Sequence, residues 1–151
     1  ASNSQKFDFL FGLDIDGALE GYFARDSSKK QNVLVFWSIW NNKMAHEFNL
    51  LEDLKQEYKK NFNFVHICID AYEIPEKSKS FIYQSRVGGF HLLPKQSSAF
   101  RKSKYRKDLK IRDLPFYVIM ADDAKIIHTE SSPLMISSRL EEKIKNINTK
   151  K

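Results

Sequence analysis

Val33-Leu34-Val35-Phe36-Trp37-Ser38-Ile39-Trp40-Asn41-Asn42-Lys43-Met44 is the stretch of this 151-residue chain whose reading decides the fold. Residues 33–37 are β-branched, aromatic or Leu and carry no charge, as a strand covered on both faces requires. From Met44 the period changes. Met44, Phe48, Leu51, Leu54 and Tyr58 fall on one helical face, with Glu47, Glu52, Lys55, Lys59 and Lys60 available for the solvent side. Asn41 or Asn42 can cap this helix, because a short amide accepts a hydrogen bond from a free N–H of the first turn. A second apolar run, Phe64-Val65-His66-Ile67-Cys68-Ile69, follows. A strand–helix–strand unit of this length predicts a right-handed parallel crossover, and therefore an α/β sheet.

Outward from this unit, residues 7–23 alternate apolar and polar around Asp14-Ile15-Asp16-Gly17, which predicts an N-terminal β-hairpin with its turn at the glycine. Residues 25–32 read as a loop. Pro75-Glu76 starts a helix running to about Arg86 and ended by Val87-Gly88-Gly89, and residues 97–107 form a short basic helix. Leu114-Pro115-Phe116-Tyr117-Val118-Ile119-Met120, a turn at Asp122-Asp123 and Lys125-Ile126-Ile127-His128 predict an antiparallel hairpin. Ser138 and Glu141 have capping-box spacing for a last helix with the stripe Leu140, Ile144 and Ile147. The expected organisation is one domain over residues 7–147. Residues 1–6 are read as a disordered or artificially added tail, and 148–151 as a polar tail.

Composition narrows the function classes. With 42% hydrophobic residues, twelve Phe and few Gly or Pro, the chain suits one compact core and not a disordered or repetitive array. Its longest apolar run, residues 33–37, falls far short of the roughly 20 residues that cross a bilayer, so no transmembrane segment is expected. The formal charge of +6 is concentrated in residues 95–112, which hold eight Lys or Arg against the single acid Asp108. Such a segment invites an anionic partner, but Phe100, Tyr105, Leu109 and Ile111 within it equally suit a solvated face over a packed stripe. With no recognised nucleic-acid motif beside it, nucleic acid is not the expected partner. The single cysteine, Cys68, excludes an internal disulfide, and its apolar strand predicts a buried, unreactive thiol. The four His are isolated from one another, so no metal is assigned, and no cofactor is expected.

The order of elements resembles the thioredoxin fold, and residues 33–40 resemble the family's strand leading into its active-site tryptophan. The likeness covers about residues 7–147. It is closest to extracytoplasmic thiol-disulfide reductases related to TlpA and ResA and to peroxiredoxin-like domains. The resemblance implies a central mixed sheet flanked by helices, an opening hairpin and an insertion between the sheet halves. It also implies a bacterial periplasmic or cell-envelope location. Met44 lines up with the family's second cysteine, Glu47 with the acidic residue that often follows it, and Leu114-Pro115 with the loop whose proline is cis.

The departure is decisive for chemistry. Trp40 should be followed by Cys-x-x-Cys, and the chain has Asn41-Asn42-Lys43-Met44. A thiol at a helix N-terminus has a depressed pKa and attacks disulfides as the thiolate, after which its partner resolves the mixed disulfide. An amide and a thioether do neither, so no catalytic residue is assigned. What remains is a candidate binding surface. Trp40 and the loop of Leu114 and Pro115 are candidates for an extended peptide, joined to Leu114 by strand addition. Lys43 at the helix start is a candidate contact for a small anion. The expected function is a redox-inactive adaptor or client-binding domain whose partner is a protein or peptide. The alternatives are anion or nucleic-acid binding by residues 95–112, and a fragment of a longer oxidoreductase whose activity lies elsewhere.

Overall fold

The structure, a computed structural model, describes residues 6–12, 14–109, 114–121, 126–130 and 133–149. In chain order the elements are β1 (Phe7–Gly12), α1 (Ile15–Arg25), β2 (Gln31–Trp37), α2 (Met44–Tyr58), β3 (Phe62–Cys68), α3 (Pro75–Gln84), β4 (Gly89–Pro94), α4 (Ala99–Lys102), α5 (Lys104–Leu109), β5 (Phe116–Met120), β6 (Ile126–Glu130) and α6 (Pro133–Thr149). The strands form one six-stranded mixed sheet in the order β1-β4-β3-β2-β5-β6. β2 lies inside it, parallel to β3 with Trp37 beside Cys68, and antiparallel to β5 with Val33 beside Ile119.

Every residue from Asn32 to Trp37 is buried, because β2 is covered on both faces. Strand alternation divides its side chains. Val33, Val35 and Trp37 enter the core built with Met44, Phe48, Leu51, Leu54 and Tyr58 of α2, Ile82 of α3, and Ile136 and Leu140 of α6. Leu34 and Phe36 enter the opposite core with Ile15, Leu19 and Tyr22 of α1, Ala99 and Tyr105. The expected stripe of α2 is buried at all five positions. At roughly 1.5–3 kcal/mol for each large apolar side chain removed from water, that stripe is the main force holding α2 on the sheet.

Four expectations are corrected. The N-terminal hairpin does not form: β1 pairs in parallel with β4 at the sheet edge, and residues 15–25 are helical. Asp14 caps that helix, its Oδ1 accepting the Gly17 N–H at 2.6 Å, so the acidic residue before the glycine is a helix start and not a hairpin turn. Ile15, Leu19 and Tyr22 are its buried i, i+4, i+7 stripe. Second, Gly88-Gly89 does more than end a helix: Gly89, with φ +95°, opens the strand β4, which the local sequence pattern does not announce. Third, the basic helix is broken in two at Ser103, whose Oγ donates to Asp16 Oδ1 at 3.0 Å. Fourth, α6 starts at Pro133, which places Ser138 and Glu141 inside the helix. Proline suits a first helical position because its missing N–H is not needed there. The expected turn at Asp122-Asp123 lies outside the described residues.

Candidate functional site

The site is built where β2 and β3 end. In adjacent parallel strands the residues just past the carboxyl ends lie side by side, and open α/β sheets place their ligand sites at that edge. Here the register Trp37↔Cys68 brings Ser38 against Asp70, whose Oδ2 accepts the Ser38 hydroxyl while Oδ1 accepts the Ile39 N–H at 3.0 Å. The Cys68 thiol donates to Asp70 Oδ1 at 3.3 Å and to Ser78 Oγ at 3.7 Å. Asp70 thus holds the loop of residues 38–43 onto the end of the sheet. Ser38 Oγ in turn accepts the Trp40 N–H at 3.1 Å, and Ser38 O accepts the Asn41 N–H at 3.2 Å.

Trp40 projects from this loop and is 54% exposed. Its Nε1 donates to Glu73 Oε2 at 2.8 Å, and the Lys77 ammonium stands 4.5 Å from a ring centroid. The ring is therefore held upright in solvent by one hydrogen bond and one cation–π contact, an arrangement that costs apolar exposure. Asn41 spans the site. Its Oδ1 accepts the Lys43 N–H at 2.9 Å, and its Nδ2 donates to Leu114 O at 2.6 Å. The Leu114–Pro115 bond is cis. The structure thus brings Asn41 and Leu114 into direct contact, with Trp40 next along the loop.

Asn42 and Lys43 are exposed, and Met44 is buried beneath them. The N-cap position of α2 falls to Lys43, which makes no side-chain cap bond; Asn41 instead closes the turn before the helix. Glu47, one turn in, keeps Oε2 buried without a hydrogen-bond partner. Burial, and secondarily the Glu47 charge, pushes the Tyr117 phenol up.

The single cysteine of the chain, Cys68, lies beneath this surface. Burial, and next the Asp70 charge, pushes the Cys68 thiol far above the ordinary thiol range, and the side chain is wholly enclosed. A thiol held protonated and out of solvent does not attack disulfides. Among the described residues no three His, Cys, Asp or Glu side chains converge as metal ligands, and no helix is long and apolar enough to cross a membrane. Glu73, Lys77 and Asp70 were not anticipated. Asp70 was legible in principle, as a polar residue just past a buried parallel strand. Glu73 and Lys77 act only because the crossover into α3 folds back beside Trp40, which no local pattern announces.

A parallel β2–α2–β3 crossover, a proline loop joined to the α2 N-terminus by the Asn41–Leu114 bond and a tryptophan before that helix define a thioredoxin-fold protein. The chain belongs to the thioredoxin-like family, whose model matches residues 29–126. It is similar in structure to a thiol-disulfide oxidoreductase from Bacteroides fragilis, with 22% identity, a TM-score of 0.63, and 76% of this chain and 81% of that chain covered. A thiol:disulfide interchange protein from Bacteroides sp. matches at 17% identity and a TM-score of 0.66 over 91% of this chain and 88% of the other. A secreted disulfide oxidoreductase from Mycobacterium tuberculosis matches at 18% identity and 0.55 over 76% and 82%. At these identities the likeness establishes the fold. A comparison with curated proteins by sequence gave no match.

Proposed function

We propose that this chain is a redox-inactive thioredoxin-like domain that binds a protein or extended peptide through the surface formed by Trp40 and the Leu114-Pro115 loop. One observation carries the reading: the α2 N-terminus presents the Asn41 amide, tied to Leu114 O, beside a tryptophan that stays exposed. The loop geometry is kept while its nucleophile is absent. An exposed indole pinned by Glu73 and Lys77 offers a partner a large, pre-ordered apolar face at small entropic cost.

Because Leu114 O already accepts from Asn41, a peptide adding to this loop competes with the Asn41 side chain for that carbonyl or uses its second lone pair. Nucleic-acid binding by residues 95–112 is less well supported. Phe100 and Tyr105 pack inward against Phe36, their rings tilted at 5.9 and 5.6 Å, and are not presented to bases, while residues 110–112 lie outside the described residues.

Two measurements test the reading. Insulin reduction with dithiothreitol is expected to be absent in the native protein and to appear in Asn41→Cys/Met44→Cys; activity of the native protein would mean that Cys68 reacts, and would overturn redox inactivity. Peptides selected on the native domain from a displayed library are expected to lose binding to Trp40→Ala. Selected peptides that bind this variant equally well would remove the proposed surface.

A further inference from the structure

The Asn41 carboxamide is committed at both ends. Its Oδ1 accepts the Lys43 N–H at 2.9 Å, which leaves Nδ2 to face Leu114 O at 2.6 Å. With the oxygen end fixed by a backbone N–H, the amide has a single orientation, and its contact with Leu114 is donor to acceptor. Leu114 lies before β5, whose pairing with β2 begins at Phe116 opposite Phe36, so its carbonyl stands outside the ladder. Among the described residues, the Asn41 amide is the one donor bonded to that carbonyl. Both residues are only half-buried, at the surface of the site and not in the core.

A neutral N–H aimed at a carbonyl just beyond the end of a strand is the interaction an added strand would make there. Asn41 stands in for a backbone amide. It adjoins the exposed Trp40 in sequence and touches Leu114 in space, so a chain laid across both crosses it. Whatever displaces the carboxamide and covers Leu114 O must bring an N–H of its own, or the carbonyl is left covered and unpaired. A helix is a poor source, because its N–H groups beyond the first turn are already bonded within it. An extended chain turns every second N–H outward, and proline has none to offer.

Resting on the peptide-binding reading above, we propose that Asn41 is a built-in competitor of the partner: its carboxamide occupies Leu114 O in the free domain and gives way to a main-chain N–H of an extended segment, which carries a residue other than proline opposite Leu114. Binding then exchanges one neutral hydrogen bond for another, and removing Asn41 spares the partner that exchange. The test takes a peptide selected on the native domain and dependent on Trp40, and measures its affinity by fluorescence anisotropy for the native domain, Asn41→Ala and Asn41→Ser. The serine hydroxyl still accepts the Lys43 N–H but is too short to span to Leu114 O, which separates loss of this bond from loosening of the loop. Both variants are expected to bind about fivefold tighter, the worth of one neutral hydrogen bond. N-methylation of the peptide residues one at a time should cancel that gain at a single position. Equal or weaker binding by Asn41→Ser, or a gain that survives methylation at every position, would overturn the proposal while the dependence on Trp40, and with it the peptide surface, stands. Failure of the underlying reading has a different signature: no selected peptide is then sensitive to Trp40→Ala, and both inferences fall together.

Discussion

Two polar clusters sit against the same sheet, and they answer the cost of burial in different ways. At the carboxyl ends of β2 and β3, Asp70 gathers Ser38, the Ile39 N–H and Cys68, and its bonds run outward into the loop that carries Trp40 and Asn41. Beneath α2, Lys55 binds Glu52, His66 and Gly88, and His66 stacks on His91 at 4.4 Å with the rings 17° apart. The first cluster shapes a surface loop. The second points into the core. Lysine only donates, so His66 Nε2 accepts from it, and the other ring nitrogen, Nδ1, carries the proton given to Phe90 O at 2.8 Å. That fixes a neutral His66 with no freedom to exchange partners. The contrast separates a polar group that presents a site from one that specifies packing.

The sharpest break of this contrast removes the inner cation. Lys55→Met keeps an unbranched apolar stem but leaves Glu52 half-buried without its ion pair, and His66 Nε2 and Gly88 O without a donor. Burial already raises the Glu52 carboxyl and lowers the Lys55 ammonium, so each is held charged chiefly by the other. The expected loss is about 3 kcal/mol by urea unfolding, as for other broken buried pairs. A loss below about 1 kcal/mol would show that water reaches the cluster and that the two polar regions do not differ in kind.

Acid should destabilise the fold in the same direction, by a comparable amount. Burial lowers the pKa of His91 to about 4 and, with the Lys55 charge next, lowers that of His66 well below the ordinary value. An unfolded imidazole titrates near 6.5, so between that pH and about 4 the unfolded chain binds protons that the folded one refuses. Stability is full above about pH 6.5 and falls as the pH drops through this window, by up to roughly 1.4 kcal/mol per unit for each buried imidazole. Unfolding curves at stepped pH check this. His91→Phe, which keeps a ring in the stack, should flatten the dependence, and an unchanged slope would assign the acid sensitivity to carboxylates instead.

Asp70→Ala breaks the outer cluster. The Ser38 hydroxyl and the Ile39 N–H lose their acceptor together, while the Cys68 thiol keeps Ser78 Oγ, for an expected cost of about 2 kcal/mol. The readout that distinguishes this cluster from the inner one is local. Amide hydrogen exchange should accelerate at Ile39, Trp40 and Asn41 well beyond the global change, since a loop that loses its anchor opens on its own. Uniform acceleration across β2 and α2 would mean that Asp70 supports the whole sheet and not the loop.

These differences also govern what was readable in the chain. The β2–α2–β3 unit was legible because each part has a single pattern: a continuous apolar strand, then a stripe at helical spacing that is buried at every position. The start of the chain was not, because Asp14 and Gly17 suit a hairpin turn and a helix cap alike, and the choice is made by whether Ile15, Leu19 and Tyr22 find a sheet face to cover. Likewise β4 is a short run behind two glycines, recognisable only once β1 and β3 are there to pair with it. Within the site, Trp40, Asn41, Leu114 and Pro115 could be singled out from the sequence, but the bond from Asn41 Nδ2 to Leu114 O joins residues far apart in the chain. The polar partners of Trp40 were hidden for the same reason.

The smallest expected effect on stability falls on the residue that matters most to the surface. Trp40 is more than half exposed, and its fixed contacts, to Glu73 and Lys77, are themselves with exposed side chains. Trp40→Ala therefore removes little buried area and leaves no buried group unpaired, so the free energy of unfolding should change by about 0.5 kcal/mol or less. Trp37, three residues earlier, makes the opposite case, being fully enclosed with its ring 4.9 Å from Phe48 and stacked on Phe81 at 5.7 Å. Trp37→Ala should cost about 3–5 kcal/mol. Measured side by side, the two variants test whether the indole at position 40 belongs to the core or to the surface. Should Trp40→Ala cost as much as a core tryptophan, the exposed ring is a packing element, and its exposure no longer argues for a partner.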